Sequence, residues 1–296
     1  MIRTAFRLSR RHVCAGLLAL APLAVFGQGF SSDRISVTVQ GQGPDVVLVP
    51  GLSSSPKVWA ELVKAAPGYR YHLVQLSGFA GQAKGGNAEG LVAGPVAAEL
   101  ARYIETNGLK QPAVIGHSMG GSIGLMLAAR HPQDVGRLMV VDMIPFLGAM
   151  FGPPGTTAES VRPTADMLLS RMTSAEPAQR NERIEGTITG MVNNTAMRPV
   201  ALTDSLNSDP GVSARAYHEL VVTDLRPELA RISAPTTVLY VTPKGVPLTD
   251  AQMDGVYAVA YAPLKGVQLK RIADSAHFIM WDQPAKFQAA VAAFLQ

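Results

Sequence analysis

The short segment VIGHSMGG, residues 114–121, constrains the fold of this chain more than any other feature. Its serine, Ser118, has one glycine two positions before it and another two positions after it. An apolar run typical of a buried strand (112–117) precedes the serine, and an apolar run typical of a buried helix (119–130) follows it. Because side chains two residues away would collide across a sharp strand-to-helix bend, glycine is needed on both sides. We therefore expect Ser118 in a strained conformation, with its hydroxyl projecting from the edge of a sheet.

The rest of the chain alternates strand-like and helix-like segments. Continuous apolar runs at DVVLVP (45–50), YHLVQL (71–76) and RLMVVD (137–142) are typical of strands covered on both faces. The fold class predicted is therefore α/β, with a mostly parallel central sheet and helices on both faces. We also expect ISVTVQ (35–40) to pair antiparallel with DVVLVP across the turn GQGP. The elbow serine then lies within a βαβ unit that ends at the strand RLMVVD.

This arrangement of strand, elbow and buried helix resembles the serine hydrolases of the α/β-hydrolase fold, a group that includes esterases and lipases. The resemblance implies that Ser118 is the nucleophile of an acyl-enzyme mechanism. The segment VLVPGLSSS is similar to the family's loop after an early strand, although Pro50 stands where a histidine is usual. By the same resemblance, the backbone N–H groups of Leu52 and Met119 form the oxyanion hole.

Six histidines are candidates for the general base. His12 lies in the N-terminal segment, and four others lie beside the serine, at a helix end, in a strand or in the predicted cap; these are His117, His131, His72 and His218. His277 remains, in a loop between the strand-like VQLKRI and a C-terminal helix. This position resembles the catalytic histidine loop of the family, in which the serine comes first and the histidine last.

The acid that would orient the histidine has two candidates. In most of the family it follows the strand corresponding to TTVLYV (236–241), but Lys244 stands at that place here. Asp142 ends the strand RLMVVD, where some members carry their acid, and it is the preferred candidate. Asp250 lies beyond the usual loop and can instead begin a helix. The sequence also leaves open that neither serves, whereas Asp274 is expected to shape the histidine loop.

Residues 143–232 differ in character from the rest of the chain. A Pro/Gly-rich exit is followed by helical stretches without a buried-strand run, after what the resemblance makes the sixth main strand. We expect a helical cap over 143–232 that covers the active-site edge of a core formed by 28–142 and 233–296. Six of the twelve methionines lie in this insertion, which suits a flexible apolar pocket and ordinary cap-to-core packing equally well.

The first 27 residues distort the composition of the whole chain. They hold four arginines, no acid, an apolar run and then Gly27, a pattern that predicts a cleaved export signal, with a permanent N-terminal anchor as the alternative. Ser9, Arg10 and Arg11 resemble a twin-arginine signal, and ordinary secretion stays open. The location expected is periplasmic or secreted, reached through the export machinery. After cleavage, 22 basic residues balance 22 acids, so no excess positive charge favours a nucleic-acid partner. The only cysteine, Cys14, lies in this segment.

The function expected from the resemblance is hydrolysis of a carboxylic ester, with Ser118 attacking the carbonyl carbon and His277 as the general base. The expected partner is a small acyl substrate, apolar in character, and neither a cofactor nor a metal is expected. Lactonase, thioesterase, amidase and acyltransferase chemistry remain open because they use the same groups. A non-catalytic binding protein on the same fold is the alternative from a different class, since the usual acid position is not occupied by aspartate.

Overall fold

The structure is a computed structural model that describes Met1 and residues 29–296. The predicted export signal, Met1 apart, and Cys14 within it lie outside the described residues. No helix in the described residues is long and apolar enough to cross a membrane. The strands of the described chain are β1 (Ile35–Gly41), β2 (Asp45–Val49), β3 (Arg70–Leu76), β4 (Ala113–His117), β5 (Arg137–Val141), β6 (Thr236–Tyr240) and β7 (Gln268–Arg271).

The helices alternate with the strands, as expected for an α/β protein. Short 3-10 turns, among them Leu147–Phe151 and Arg226–Arg231, connect several of them. The α-helices of the described chain are α1 (Ala60–Ala65), α2 (Ala93–Thr106), α3 (Met119–Arg130), α4 (Ala158–Thr173), α5 (Pro177–Met191), α6 (Arg198–Leu206), α7 (Pro210–Val222), α8 (Asp250–Tyr261), α9 (Ile279–Asp282) and α10 (Pro284–Leu295).

The strands of the described chain form one sheet in the order β1-β3-β2-β4-β5-β6-β7. Only β1 runs antiparallel to its neighbour, and every other pairing is parallel. Strands β4 and β6 are buried at every position, because side chains on both of their faces meet helices. The predicted fold class, a mostly parallel sheet with helices on both faces, is confirmed.

The predicted antiparallel pairing of the first two strands is wrong, because β3 lies between them. Gly41, at the end of β1, and Asp45, at the start of β2, both face Arg70 at the start of β3. The connecting turn therefore crosses the beginning of β3. A Cβ atom on Gly41 or Gly43 would collide with the backbone there, and both glycines have positive φ. The glycines thus allow a crossing where a simple hairpin was expected.

Alternate side chains of the strands feed two apolar layers. Val47, Val114 and Val140 belong to the layer that contains α2, α3 and α8. Leu48 and Ile115 belong to the opposite layer, which contains α1, α9 and α10. The period-2 alternation of a strand is the reason that one run of valine, leucine and isoleucine serves both layers. Both layers hold the strand ends, and hence the residues that follow them, in fixed positions.

The insertion between β5 and β6 is helical and covers the carboxyl edge of the sheet. It contains α4 to α7, with α4 packed against α7 and α5 against α6. Its own apolar cluster includes Phe146, Val161, Ala165 and Val221. The insertion follows β5, the fifth strand of the described sheet.

Two buried carboxylates of the insertion bind the backbone of the core. Glu219 in α7 accepts hydrogen bonds of 2.6, 2.7 and 2.8 Å from the first amides of α2 and the residue before it, Val92, Ala93 and Gly94. Asp204 in α6 accepts one of 2.9 Å from the amide of Ser55. A negative charge at the start of α2 also interacts favourably with the helix dipole. These contacts hold the insertion against the edge of the sheet where Ser118 lies.

Candidate active site

Ser118 occupies a strained turn between β4 and α3. Its backbone angles are φ 53° and ψ −122°, outside the regions that a non-glycine residue ordinarily adopts. A Cβ atom on Gly116 would collide with the backbone of Gly120, and one on Gly120 would collide with the carbonyl of Val49. The Ser118 amide donates a 2.8 Å hydrogen bond to Val141 on the neighbouring strand. The strained conformation of Ser118 is thus maintained by the close backbone packing that the two glycines allow and by the hydrogen bond to the neighbouring strand.

The loop after β2 packs directly against this turn. A Cβ atom on Gly51 would lie 3.1 Å from the Cβ of Ser118, so only glycine brings the loop this close without displacement. Within residues 29–296, neither the Leu52 amide nor the Met119 amide donates a hydrogen bond to another group. Met119 also begins α3, whose N-terminus carries partial positive charge. The two N–H groups predicted for an oxyanion hole therefore flank the Ser118 turn without competing acceptors.

His277 lies against Asp142. Its Nδ1 atom is 2.6 Å from Oδ2 of Asp142, whose side chain is only 9% exposed. The other carboxylate oxygen, Oδ1, accepts a 3.2 Å hydrogen bond from the amide of Val241 and a 3.3 Å hydrogen bond from the hydroxyl of Tyr257. Both oxygens of the carboxylate are therefore used, one for the imidazole and one for groups that hold the carboxylate in place.

The second candidate acid is not brought to the histidine. Asp250 begins α8, and its carboxylate lies 2.6 Å from Nη1 of Arg271 with 59% of its side chain exposed. Thr249 is the N-cap of that helix. Lys244, at the family's usual acid position, lies 3.4 Å from the side chain of Asn193. Asp274 is exposed and lies 3.9 Å from Lys286.

Ser118 and His277 both line one cavity of about 660 Å³. Neither the Ser118 hydroxyl nor Nε2 of His277 has a hydrogen-bond partner in the part of the chain that the structure describes. Hydrogen bonds between a nucleophile and its base are often long before a substrate is present. Both polar atoms are therefore free to contact a molecule that enters the cavity.

The cavity lies between the carboxyl edge of the sheet and the insertion. Its walls are mainly apolar, and the insertion contributes a large part of them. The apolar side chains from the insertion are Met143, Ile144, Leu147, Met150, Leu168, Met172, Ile184, Ile188, Met191, Pro210 and Leu220, together with the ring of Tyr217. Methionine and leucine side chains are flexible, and they give the cavity an adaptable apolar surface.

His117 supports the histidine loop, a role that the sequence analysis did not identify. It is buried, and its Nε2 atom donates a 3.0 Å hydrogen bond to the backbone carbonyl of His277. Burial holds the pKa of His117 well below its usual value, and repulsion from His277 lowers it further. A neutral ring with its proton on Nε2 is the form that this carbonyl requires. Its position next to Ser118 was the only signal in the sequence.

Tyr257 is the second supporting residue that the sequence analysis missed. It lies on α8, its ring stacks 4.0 Å from that of Tyr240, and its hydroxyl donates to Asp142. Burial raises the pKa of Tyr257 well above its usual value, and the nearby Asp142 carboxylate raises it further. The tyrosine therefore stays a hydrogen-bond donor. No local motif marks it, because its contact with Asp142 joins residues 115 positions apart.

The remaining described histidines lie away from the cavity. His72 is buried in the sheet, 2.7 Å from the Tyr103 hydroxyl and 2.8 Å from Asp45. His218 pairs with Asp166 at 2.8 Å, and His131 lies at the end of α3. Among the described residues, no group of three or more histidine, cysteine, aspartate or glutamate side chains could hold a metal ion.

The sheet covered on both faces, with a strained serine at its carboxyl edge, is the architecture of the α/β-hydrolase class of proteins. A profile described as the alpha/beta hydrolase fold matches residues 44–284, and the chain belongs to this family. The resemblance found in the sequence is thereby confirmed.

Relatives and solved structures agree with this membership. The chain is 30% identical to a pimeloyl-[acyl-carrier protein] methyl ester esterase of Aeromonas hydrophila, over 73% of this chain and 85% of that protein. An esterase from Exiguobacterium antarcticum has a similar structure, with a TM-score of 0.71, 19% identity, and coverage of 88% of this chain and 95% of that one. An enol-lactonase from Burkholderia xenovorans superimposes with a TM-score of 0.70 and 18% identity, and the match covers 88% of this chain and 96% of that one.

Proposed function

We propose that the protein is a serine esterase that cleaves a carboxylic ester with an apolar acyl portion, with Ser118 as nucleophile, His277 as general base and Asp142 as the acid. The observation that carries the proposal is the 2.6 Å contact of His277 with Asp142 at the cavity that Ser118 lines. The ester bond is favoured over other acyl bonds because the Aeromonas relative bears the name of a methyl ester esterase.

In the first half of the reaction, His277 accepts the proton of the Ser118 hydroxyl through Nε2 as the serine oxygen attacks the ester carbonyl carbon. The Asp142 carboxylate keeps the proton of the imidazole on Nδ1 and stabilises the imidazolium that forms. The Leu52 and Met119 amides donate to the oxyanion of the tetrahedral intermediate. The intermediate collapses to the acyl-enzyme as the imidazolium gives its proton to the departing alcohol.

In the second half, water attacks the acyl-enzyme and His277 accepts a proton from that water. The tetrahedral intermediate collapses, Ser118 recovers its proton, and the carboxylic acid leaves. The partial positive charge at the start of α3 favours the oxyanion in both halves. No step requires a cofactor.

The direct test is turnover of short and medium p-nitrophenyl esters, together with labelling by a fluorophosphonate probe that reacts with activated serines. We expect the wild type to hydrolyse the esters and to take up the probe, and Ser118→Ala to do neither. Ser122→Ala is the matched control, since Ser122 is a buried serine of α3 outside the cavity lining. If the wild type neither hydrolyses the esters nor takes up the probe, the result would favour a non-catalytic binding protein on this fold.

We also propose that the protein is exported, to the periplasm or the medium, by a signal that ends near Gly27. The arginine-rich start, the apolar run and the small residue at the predicted cleavage point support this. N-terminal sequencing of protein from the periplasm or medium tests it, and an uncleaved chain in the cytoplasm contradicts it. Loss of export on replacing Arg10 and Arg11 with lysine would indicate the twin-arginine route.

A further inference from the structure

The charged groups in the wall of the cavity are unbalanced. Three arginines of the insertion, Arg171, Arg180 and Arg183, line it. Among the described residues the only acid in the wall is Asp142, and that carboxylate is engaged with His277. A mainly apolar cavity that also holds three cations favours an occupant with both an apolar portion and a negative charge.

The three arginines are without ion-pair partners in the described part of the chain. Their side chains form no contact of 4.0 Å or less with a carboxylate there, whereas other arginines, such as Arg226 with Asp224, do. Arg180 is only partly exposed, and its Nε atom is buried without a hydrogen-bond partner. One N–H of Arg183 donates to the carbonyl of Arg171, which leaves its other donors free. A buried guanidinium donor without an acceptor is costly unless a ligand supplies one.

Helix α5 presents both arginines and apolar side chains along a single face. Arg180, Arg183, Ile184, Thr187, Ile188 and Met191 line the cavity, and this spacing of three and four residues is one side of a helix. The cationic positions lie in the first half of α5 and the apolar positions follow. The cavity wall thus changes from charged to apolar along the helix axis.

The apolar end of α5 is the end beside the histidine. The carbonyl of Met191 accepts a 3.2 Å hydrogen bond from the amide of Phe278, the residue after His277. At 1.5 Å of rise per residue, Arg183 and Arg180 lie roughly 12 and 16 Å from Met191 along the axis. Arg180 and Arg183 are therefore separated from the Ser118 and His277 region by a mainly apolar stretch that has the length of a medium acyl chain.

We propose that Arg180, assisted by Arg171 and Arg183, is an anion-binding subsite, and that the preferred ester carries a carboxylate or phosphate at the end of the acyl chain remote from the ester bond. This inference rests on the proposed esterase function and specifies its substrate class. The guanidinium groups would bind the anion while the apolar face of α5 contacts the chain. A short anionic ester would be unable to place its anion at the arginines and its ester bond at Ser118 at the same time.

The test compares esters of equal chain length that differ only in the terminal anion. Release of methanol from monomethyl suberate and methyl octanoate gives one pair, and monomethyl succinate with methyl butanoate gives a shorter one. We expect the anionic member to have the higher kcat/KM in the longer pair only. Arg180→Gln is expected to lower the ratio of anionic to neutral kcat/KM by roughly tenfold, the effect of losing a charged hydrogen bond. Arg180→Lys should restore part of it.

Arg162→Gln is the matched control, because Arg162 is an exposed arginine of α4 outside the cavity lining. In this variant, the ratio of kcat/KM for the anionic ester to kcat/KM for the neutral ester should equal that of the wild type. An equal fall for both esters in Arg180→Gln would mean that Arg180 is structural, and an active wild type without preference for the long anionic ester would overturn the subsite while leaving the esterase proposal intact.

Calorimetry with Ser118→Ala tests the subsite without hydrolysis. Suberate and octyl phosphate are the probes, and a difference between them identifies which anion the arginines prefer. We expect binding that is lost when Arg180→Gln is added and retained when Arg162→Gln is added. If the wild type hydrolyses no ester but Ser118→Ala binds the anions in this pattern, the esterase proposal fails and the subsite stands. Absence of binding to Ser118→Ala overturns the subsite.

Discussion

Nδ1 of His277 lies 2.6 Å from Oδ2 of Asp142, so the histidine of the C-terminal loop meets the carboxylate that follows β5. Asp250, the alternative acid, instead pairs with Arg271 on the outside of the sheet. The strand end after β6, where the family usually places the acid, supplies the amide of Val241 to the Asp142 carboxylate. The neighbouring strand β6 thus contributes a hydrogen-bond donor to the Asp142 carboxylate, which is the acid that we propose.

Asp142→Asn should abolish most esterase activity. An asparagine cannot stabilise the imidazolium and favours the wrong imidazole tautomer, so kcat should fall by about 10³- to 10⁴-fold. Hydrolysis of p-nitrophenyl butyrate measures this. Asp250→Asn should keep kcat within about twofold of wild type, since only an exposed ion pair is removed. A large loss confined to the Asp250 variant would contradict the assignment of the acid.

Tyr257→Phe should lower kcat while leaving KM near its wild-type value. The substitution removes one hydrogen bond to Asp142 and keeps the stack with Tyr240. The expected loss is about three- to tenfold, which corresponds to one ordinary hydrogen bond. Tyr261→Phe is the comparison, because that hydroxyl donates to the carbonyl of Met143 instead. A kcat for Tyr257→Phe no lower than that of Tyr261→Phe would show that the hydrogen bond to Asp142 has no specific role in catalysis.

Acid should destabilise the fold through its buried histidines. The pKa of His117 lies well below 6.5, and burial also lowers that of His72, so the unfolded chain binds more protons than the native one as the pH falls below about 6.5. The free energy of unfolding should therefore decrease between pH 6.5 and pH 5, by up to about 1.4 kcal/mol per pH unit for each such histidine.

Urea unfolding at pH 7 and pH 5 measures this loss. His117→Gln should reduce the difference between the two pH values, because glutamine does not titrate. His131→Gln, at a partly exposed position at the end of α3, is the matched control for the loss of an imidazole. An undiminished pH dependence in the His117 variant would assign the effect to other groups.

Glu219→Gln should weaken the attachment of the insertion. The carboxylate is buried and accepts hydrogen bonds from three backbone amides at the start of α2. A glutamine amide accepts through one oxygen only, so we expect a loss of about 2 kcal/mol or more in the free energy of unfolding. Chemical denaturation measures it, with Glu185→Gln on the exposed side of α5 as the control. A loss below about 0.5 kcal/mol would mean that water replaces the carboxylate as the acceptor for these amides.

Local sequence determined much of the architecture. The glycines around Ser118 mark the elbow in the sequence, because a Cβ atom on Gly116 would collide with the backbone of Gly120 within the same short segment. Continuous apolar runs likewise identified the strands β2, β3, β4 and β5, since a strand covered on both faces has no polar alternation. The fold class therefore followed from the sequence alone.

Strand order and the partners of the side chains were decided only in three dimensions. The turn after β1 gave no sign that β3 would lie between the first two strands, because the competing partner for pairing comes later in the chain. Asp142 and Asp250 were both compatible with the sequence, and only the packed structure shows which of the two carboxylates lies against His277, 135 residues away in the chain. The hydrogen bond from Tyr257 to Asp142 and the grouping of three arginines around the cavity likewise depend on tertiary packing. Local propensities act over a few residues, whereas these contacts exist only once distant elements have packed together.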